Sequence, residues 1–243
     1  DIIVREGKHG GWVWVILEGI VRVVKQNKRG DFTIMKVGDG SFIGTTASLT
    51  MGNPARSATV QAEGSIRLGV LDSQRLSAEY GRLSNEMRGI LVSLDKRLRR
   101  VSRAAIYESE GDRRSARMKM YRKPIIKQGK AKEALYVIKE GEAIIVRTTS
   151  SGHVALSKLY PGDFLGHIPS LDIGQEPYSA SILGTENFKV VKMDLEAISA
   201  ELESMSSTLR NMVENMATSI AATSMIACDL RKLGKKKSTE QKA

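Results

Sequence analysis

The stretch FIGTTASLTMGNPARSATV, residues 42–60, returns as FLGHIPSLDIGQEPYSASI at residues 164–182. Gly44 and Gly166 share a place in this frame, as do Ser48-Leu49 and Ser170-Leu171, and Ala58 and Ala180. The polar members change: Thr45 becomes His167 and Arg56 becomes Tyr178. Moving outward at the same offset, IIVREGKHGGWVWVILEGIVRVV (2–24) and IIKQGKAKEALYVIKEGEAIIVR (125–147) overlap with Gly7 on Gly129, Val15-Ile16 on Val137-Ile138 and Glu18-Gly19 on Glu140-Gly141, and Leu71-Asp72 falls on Met193-Asp194. A period of about half the chain means two homologous domains. At 243 residues the chain is long enough for each to bury its own core.

Strand signals dominate each unit. Val13–Val24 and Leu135–Val146 are β-branched and aromatic runs broken by Glu-Gly, which reads as two strands joined by a tight turn. Asn27–Gly30 and Ser150–Gly152 are turn clusters before the further strands 32–37 and 153–159. Many short strands with turns between them predict a small antiparallel barrel or jelly roll. The expected class is therefore mainly β with α: two barrels, each followed by helices.

The helices carry narrow apolar seams. Met87, Leu91, Leu94, Leu98, Val101 and Ala105 alternate steps of four and three, and so do Ile198, Leu202, Met205, Leu209, Met212 and Met216. Each seam either covers its own barrel or meets another helix. The second is methionine-rich, suiting an adaptable partner surface, so a homodimer through the helix 196–230 is the expectation. The predicted organisation is a first domain over 1–108, a linker over 109–122, a second domain over 123–232 and a basic tail over 233–243.

The net charge is +11, with basic residues gathered in DKRLRRVSR (95–103), in 111–132 and in the tail. Such runs are read mainly as solvated surface, with electrostatic nucleic-acid binding as the lesser reading. No apolar run of 18 residues occurs, so no membrane span is expected. The opening DIIVREG resembles the interior of a strand rather than a secretion signal, and a preceding segment is expected. One cysteine, Cys228, suits a reducing, cytoplasmic setting. With three histidines and no acid–histidine spacing of a metal site, no metal is expected. No nucleophile–base constellation or Walker loop appears, so no catalytic residue is assigned.

Strand, Glu-Gly, strand, Gly-Asp, Phe-x-Gly, and a loop closing on Arg-Ser-Ala-Thr-Val, followed by helices, resembles the cyclic nucleotide-binding domain of catabolite activator proteins, kinase regulatory subunits and gated channels. The resemblance covers nearly the whole chain, twice. It implies that the quoted loop is a phosphate-binding cassette, in which backbone N–H groups and an arginine hold the cyclic phosphate and a glutamate after the glycine grips the ribose. Helix N-termini and arginine forks are suited to anions on elementary grounds.

Carried over residue by residue, the resemblance implies a ligand site in the first domain at Phe42, Gly44, Thr45, Arg56, Ser57 and Ala58. Thr45 stands where the glutamate belongs; it offers a hydroxyl but no negative acceptor and leaves Arg56 less neutralised. The implied ligand is a cyclic nucleotide or the more anionic cyclic dinucleotide. Against this stands a reading in which Arg56 pairs with an acid such as Asp39. The second domain carries a degenerate pocket of Gly166, His167, Tyr178 and Ser179, with Tyr178 as core or interface. Three functions follow in order: a ligand-sensing regulatory module, a ligand-free dimerising scaffold, and an electrostatic nucleic-acid binder.

Overall fold

The computed structural model describes residues 1–49, 55–112, 120–130, 134–168, 171 and 179–240, with side chains described as far as Gly234 in the last helix. The first repeat runs β1 (Ile2–Val4), β2 (Trp14–Asn27), β3 (Gly30–Val37), β4 (Phe42–Ile43) and β5 (Thr59–Val70), then α1 (Ser73–Arg82) and α2 (Asn85–Ser109). The second runs β6 (Lys123–Ile126), β7 (Leu135–Glu140), β8 (Ala143–Thr149), β9 (Gly152–Leu159), β10 (Phe164–Gly166), β11 (Ser181–Gly184) and β12 (Lys189–Lys192), then α3 (Leu195–Ser204) and α4 (Ser207–Glu240). Each repeat is a curled antiparallel β structure with helices behind it, and matched residues lie 122 apart, as 164 lies from 42.

The Glu-Gly breaks are not tight turns. In the first repeat β2 runs straight through Gly19 and pairs with β5 on both sides of it, from Trp14↔Val70 to Val24↔Thr59, with irregular register between Ile16 and Ile20. In the second, Gly141 separates β7, which pairs with β10 and β12, from β8, which pairs with β11 and β9. The break is thus an irregularity within one long strand in the first repeat, and the passage from one sheet to the other in the second. Gly19 and Gly141 have φ of 105° and 75°, a bend that side-chain-bearing residues resist. The true hairpins are at Asn27↔Gly30 and Thr149↔Gly152.

The helical stripes also need correction. The second does not lie on one helix: the chain extends at Met205 (ψ 151°) and Ser206 starts α4, its hydroxyl accepting from the Leu209 amide at 3.3 Å. The first repeat breaks identically at Leu83, and Ser84 caps α2 by accepting from the Met87 amide at 3.0 Å. Serine ends one helix and starts the next because its oxygen replaces a missing helical acceptor.

The two stripes face each other within one chain. Met87, Leu91, Leu94 and Val101 of α2 and Leu209, Met212 and Met216 of α4 belong to one buried cluster that also contains the interior of the second barrel. The surface expected to join two copies is thus covered by the chain's own α2. Polar contacts repeat across the pair. Glu79 of α1 accepts from the amide and hydroxyl of Ser206, both at 2.7 Å, and Glu201 of α3 does the same for Ser84, both at 2.6 Å. Far along the helices, Arg231 of α4 donates two bonds of 2.5 Å to Glu108 of α2, and both side chains are 7% exposed. Reciprocal contact between matched residues is the signature of a two-fold interface, here between two halves of one chain.

Candidate functional site

In the first repeat the cluster of Ile16, Val21, Ile43 and Val60 stays separate from the main core. A cavity of about 120 Å³ lies beside it. Phe42, Gly44, Thr45, Arg56, Ser57 and Ala58 all line this cavity. Its far wall comes from the helices: Leu98, Arg99 and Ser102 of α2, and Asn215, Met216 and Ser219 of α4. A helix of the second repeat therefore roofs the pocket of the first. The volume exceeds the roughly 30 Å³ share of one liquid water, so the space is more than a hydration site.

The cassette begins at Gly44, whose φ of 120° turns the chain out of β4 into a short 3-10 turn, Thr46–Leu49. Arg56 closes it. Its backbone is fixed by the Arg56 amide donating to Lys8 and the Gly7 amide donating to Arg56, both at 2.8 Å. Its guanidinium donates to the Trp12 carbonyl at 2.7 Å and lies 5.3 Å from the centre of the Trp14 ring. Among the described residues no carboxylate pairs with it. Asp39, the acid expected as its partner, instead accepts from the Gly19 amide at 2.9 Å. Desolvation pushes the Arg56 pKa below its ordinary value, which records a cation drawn partly out of water without a counter-ion. Lys25 ties the neighbouring Ser57 carbonyl and Glu6 together.

Thr45, in the cavity wall, is bonded to α2. Its hydroxyl donates to Asp95 at 2.6 Å, Asp95 accepts from Arg99 at 2.8 Å, and Arg99 also donates to the Ala55 carbonyl at 3.2 Å. Both ends of the cassette loop, Thr45 and Ala55, are thereby strapped to α2. Asp95 and Arg99 were hidden in the basic run 95–103; their four-residue spacing on a helix was the available signal. Asn215 and Ser219 had no sequence signal, because only tertiary packing brings α4 across the first barrel.

The second repeat is built alike, and its described residues differ from those of the first at the cavity wall. Val4, Val23, Val37 and Val60, which line the first cavity, are matched by Ile126, Ile145, Leu159 and Ile182, each one carbon larger and buried in the main core. Val21 and Met35, matched by Ala143 and Ser157, go the other way. His167, in the place of Thr45, is buried, and its amide donates to the Ala134 carbonyl at 3.3 Å. Ser179 accepts from Arg147 through its carbonyl at 2.9 Å and its hydroxyl at 2.5 Å, repeating the Lys25–Ser57 tie. Gly166 keeps the φ of its counterpart at 118°. Tyr178 and Pro169 lie outside the described residues.

Where Ser219 lines the first cavity, α2 places Arg97 against the second barrel. Arg97 is 6% exposed, donates to the Phe164 carbonyl at 2.7 Å, and stacks 4.6 Å from the Phe164 ring centre. Ser93, one turn earlier, accepts from the Phe164 amide at 3.3 Å. Arg100, three residues on, donates to Asp163 at 2.5 Å and to the Lys158 carbonyl at 2.8 Å. Among the described residues nothing comparable fastens α4 to the first barrel, where Asn215, Ser219 and Ala222 hold the matched positions. No metal-binding cluster occurs among the described residues, and none of their helices is long and apolar enough to cross a membrane.

The family model of the cyclic nucleotide-binding domain matches residues 1–81 and 122–205. Among curated proteins, the chain is 28% identical to the cAMP-dependent protein kinase regulatory subunit of Dictyostelium discoideum over 88% of this chain and 66% of that one. It is 27% identical to the type II regulatory subunit of Drosophila melanogaster over 81% of this chain and 51% of that one. The chain thus spans about two thirds and half of these relatives. Among solved structures, the regulatory domain of Toxoplasma gondii PKA with cAMP is 18% identical, with coverage of 99% and 82% and a TM-score of 0.30. With the model matching more than half of its length, in two segments that coincide with the two repeats, the chain belongs to the cyclic nucleotide-binding domain family.

Proposed function

We propose that this chain is a non-enzymatic regulatory module whose first repeat takes a small anionic nucleotide and whose second repeat takes none. One observation supports the reading: the first repeat has a cavity faced by an arginine without a carboxylate partner among the described residues, whereas in the second Arg97 lies over Phe164 at the position that Ser219 holds in the first. A cation in a partly desolvated mouth favours an anion, because its field is less screened there than in water. Phe42, Gly44, Ser57 and Ala58 form the wall against which the nucleotide sits.

The response is carried by the helices. The ligand touches α2 of its own repeat and α4 of the other, so its binding free energy biases how they pack. It can shift them only by its differential affinity for two arrangements. The relatives are kinase regulatory subunits, and on that ground the partner proposed for this module is a protein kinase in the cytoplasm. Burial of the α4 seam against α2 supports a chain paired with itself over a homodimeric scaffold. Sedimentation should give a monomer of 26.7 kDa; a dimer that persists on dilution would restore the homodimer.

Calorimetric titration with cyclic AMP and cyclic GMP tests the ligand. Arg56→Ala should weaken the bound one by more than about tenfold, the worth of one charge-assisted hydrogen bond. Silence with every nucleotide, or unchanged affinity in the variant, would overturn the reading in favour of a scaffold.

A further inference from the structure

The cavity holds a second cation. Arg99 reaches it from α2 while Arg56 reaches it from the end of the cassette, and among the described lining residues there is no carboxylate. Asp95 lies behind Thr45 and bonds one edge of Arg99 through its Nε. One terminal nitrogen of Arg99 donates to the Ala55 carbonyl. Among the described residues no hydrogen bond uses its other terminal nitrogen, and Arg99 lines the cavity. The wall is otherwise neutral: Ser48, Ser57, Ser102, Asn215 and Ser219 supply hydroxyls and an amide.

The repeat supplies an internal control. The residues matching Asp95 and Arg99 on α4 are Ala217 and Ala221, and the residue matching Arg56 is Tyr178. Both cavity arginines, and the acid that positions one of them, occur only in the first repeat. If Arg99 served only to fasten helix to barrel, the second repeat would need such a fastener as much; there that task falls to Arg97 and Arg100, which bond Phe164, Lys158 and Asp163.

Resting on the reading of the first repeat as an anion site, we infer that Arg99 is a second anion-binding residue and that the site takes a nucleotide carrying two separate anionic groups, one held by Arg56 and one by Arg99. Thr45 offers the sugar no carboxylate, so recognition moves from the ribose to the second anion. Asp95 is the positioning residue: it accepts from the Nε of Arg99 and so fixes the fork beside the cavity.

Titration calorimetry should compare cyclic AMP with adenosine 3′,5′-bisphosphate, which keeps the base and sugar but carries two phosphates, and with a cyclic dinucleotide. The two-anion probes should bind at least about tenfold more tightly than cyclic AMP, the worth of one charge-assisted bond. Arg99→Ala should erase that preference and leave cyclic AMP within about threefold of its original affinity. Arg99→Lys, which keeps the charge and guards against a folding defect in the alanine variant, should retain part of it. Asp95→Asn should reduce the two-anion preference, because the fork loses the carboxylate that positions it. Preferential binding of the bisphosphate over the dinucleotide, or the reverse, identifies which two-anion class fits. Equal affinity for cyclic AMP and the two-anion probes, or a preference that survives Arg99→Ala, overturns the inference while leaving the anion site standing. Failure of every probe overturns the anion site itself.

Discussion

Glu79 caps Ser206 across the boundary between the repeats, accepting from its amide and its hydroxyl at 2.7 Å, and Glu201 returns the same pair of bonds to Ser84. Each long helix thus has its first turn completed by a carboxylate from the other repeat. The carboxylate also lies at the positive end of the helix dipole, where negative charge is stabilising. Glu79→Ala and Glu201→Ala should each lower stability by about 1–3 kcal/mol, because a part-buried amide and hydroxyl lose their acceptor. Glu→Gln, which keeps one acceptor, should cost less. Urea unfolding of the two singles and the double checks this. A double loss far from the sum would show that the two clasps open together.

Ser219→Arg copies into the first repeat the residue at the matched position of the second. The new guanidinium would extend over Phe42 as Arg97 does over Phe164, displacing ligand while packing on the apolar wall. Binding of any nucleotide should fall by more than about tenfold with little change in melting temperature. A Ser219→Arg variant that binds as before would show that α4 does not roof the site.

Gly44 and Gly166 share a backbone conformation but not their space. A Cβ on Gly44 would meet a Val13 methyl at 3.2 Å, whereas one on Gly166 would lie 2.0 Å from the Ala134 carbonyl oxygen. Both alanine variants incur the strain of positive φ, about 1–2 kcal/mol. Gly166→Ala must also push strand β7 aside, and should be the more destabilising by about 2 kcal/mol or more, the cost of an overpacked core. Thermal melting of the pair decides it.

Breaking the Glu108–Arg231 pair by Arg231→Met should cost about 3–5 kcal/mol, since a buried carboxylate is left without its cation. Replacing both residues by apolar ones of similar volume should recover most of that loss. Chemical unfolding of the single and double variants is the measurement. A single variant within about 0.5 kcal/mol of the parent would show the pair to be open to water.

Tyr121 donates to Glu142 at 2.8 Å, and burial together with that carboxylate raises its pKa well above the usual 10. The raised group is a neutral acid, so its contribution to stability is complete below pH 10 and is lost as pH climbs from there toward the folded-state value. Absorbance titration should show a tyrosine component that resists ionisation to strongly alkaline pH, beyond the smaller upward shift that burial gives Tyr80. That signal should vanish in Tyr121→Phe.

Sequence alone determined the duplication and the barrel-plus-helix class, because repeated glycines, turn clusters and alternating apolar strands act locally and are copied with the chain. It also determined which repeat kept an arginine at the close of its loop. It misread Glu18-Gly19 and Glu140-Gly141 as tight turns, since a bend in a strand and a hairpin demand the same glycine; only the pairing of β2 with β5 tells them apart. It put the methionine stripe on one helix, whereas α3 and α4 share it and α2 covers the part on α4, because an apolar seam says that a partner exists and not which element supplies it. Tertiary structure alone decided that α2 and α4 cover each other, that Asp39 holds Gly19 rather than Arg56, and that Arg97 lies against one barrel while Ser219 lines the cavity of the other. These are contacts between residues distant in the chain, and no local pattern encodes them: they follow from how two copies of one fold bury their helices against each other.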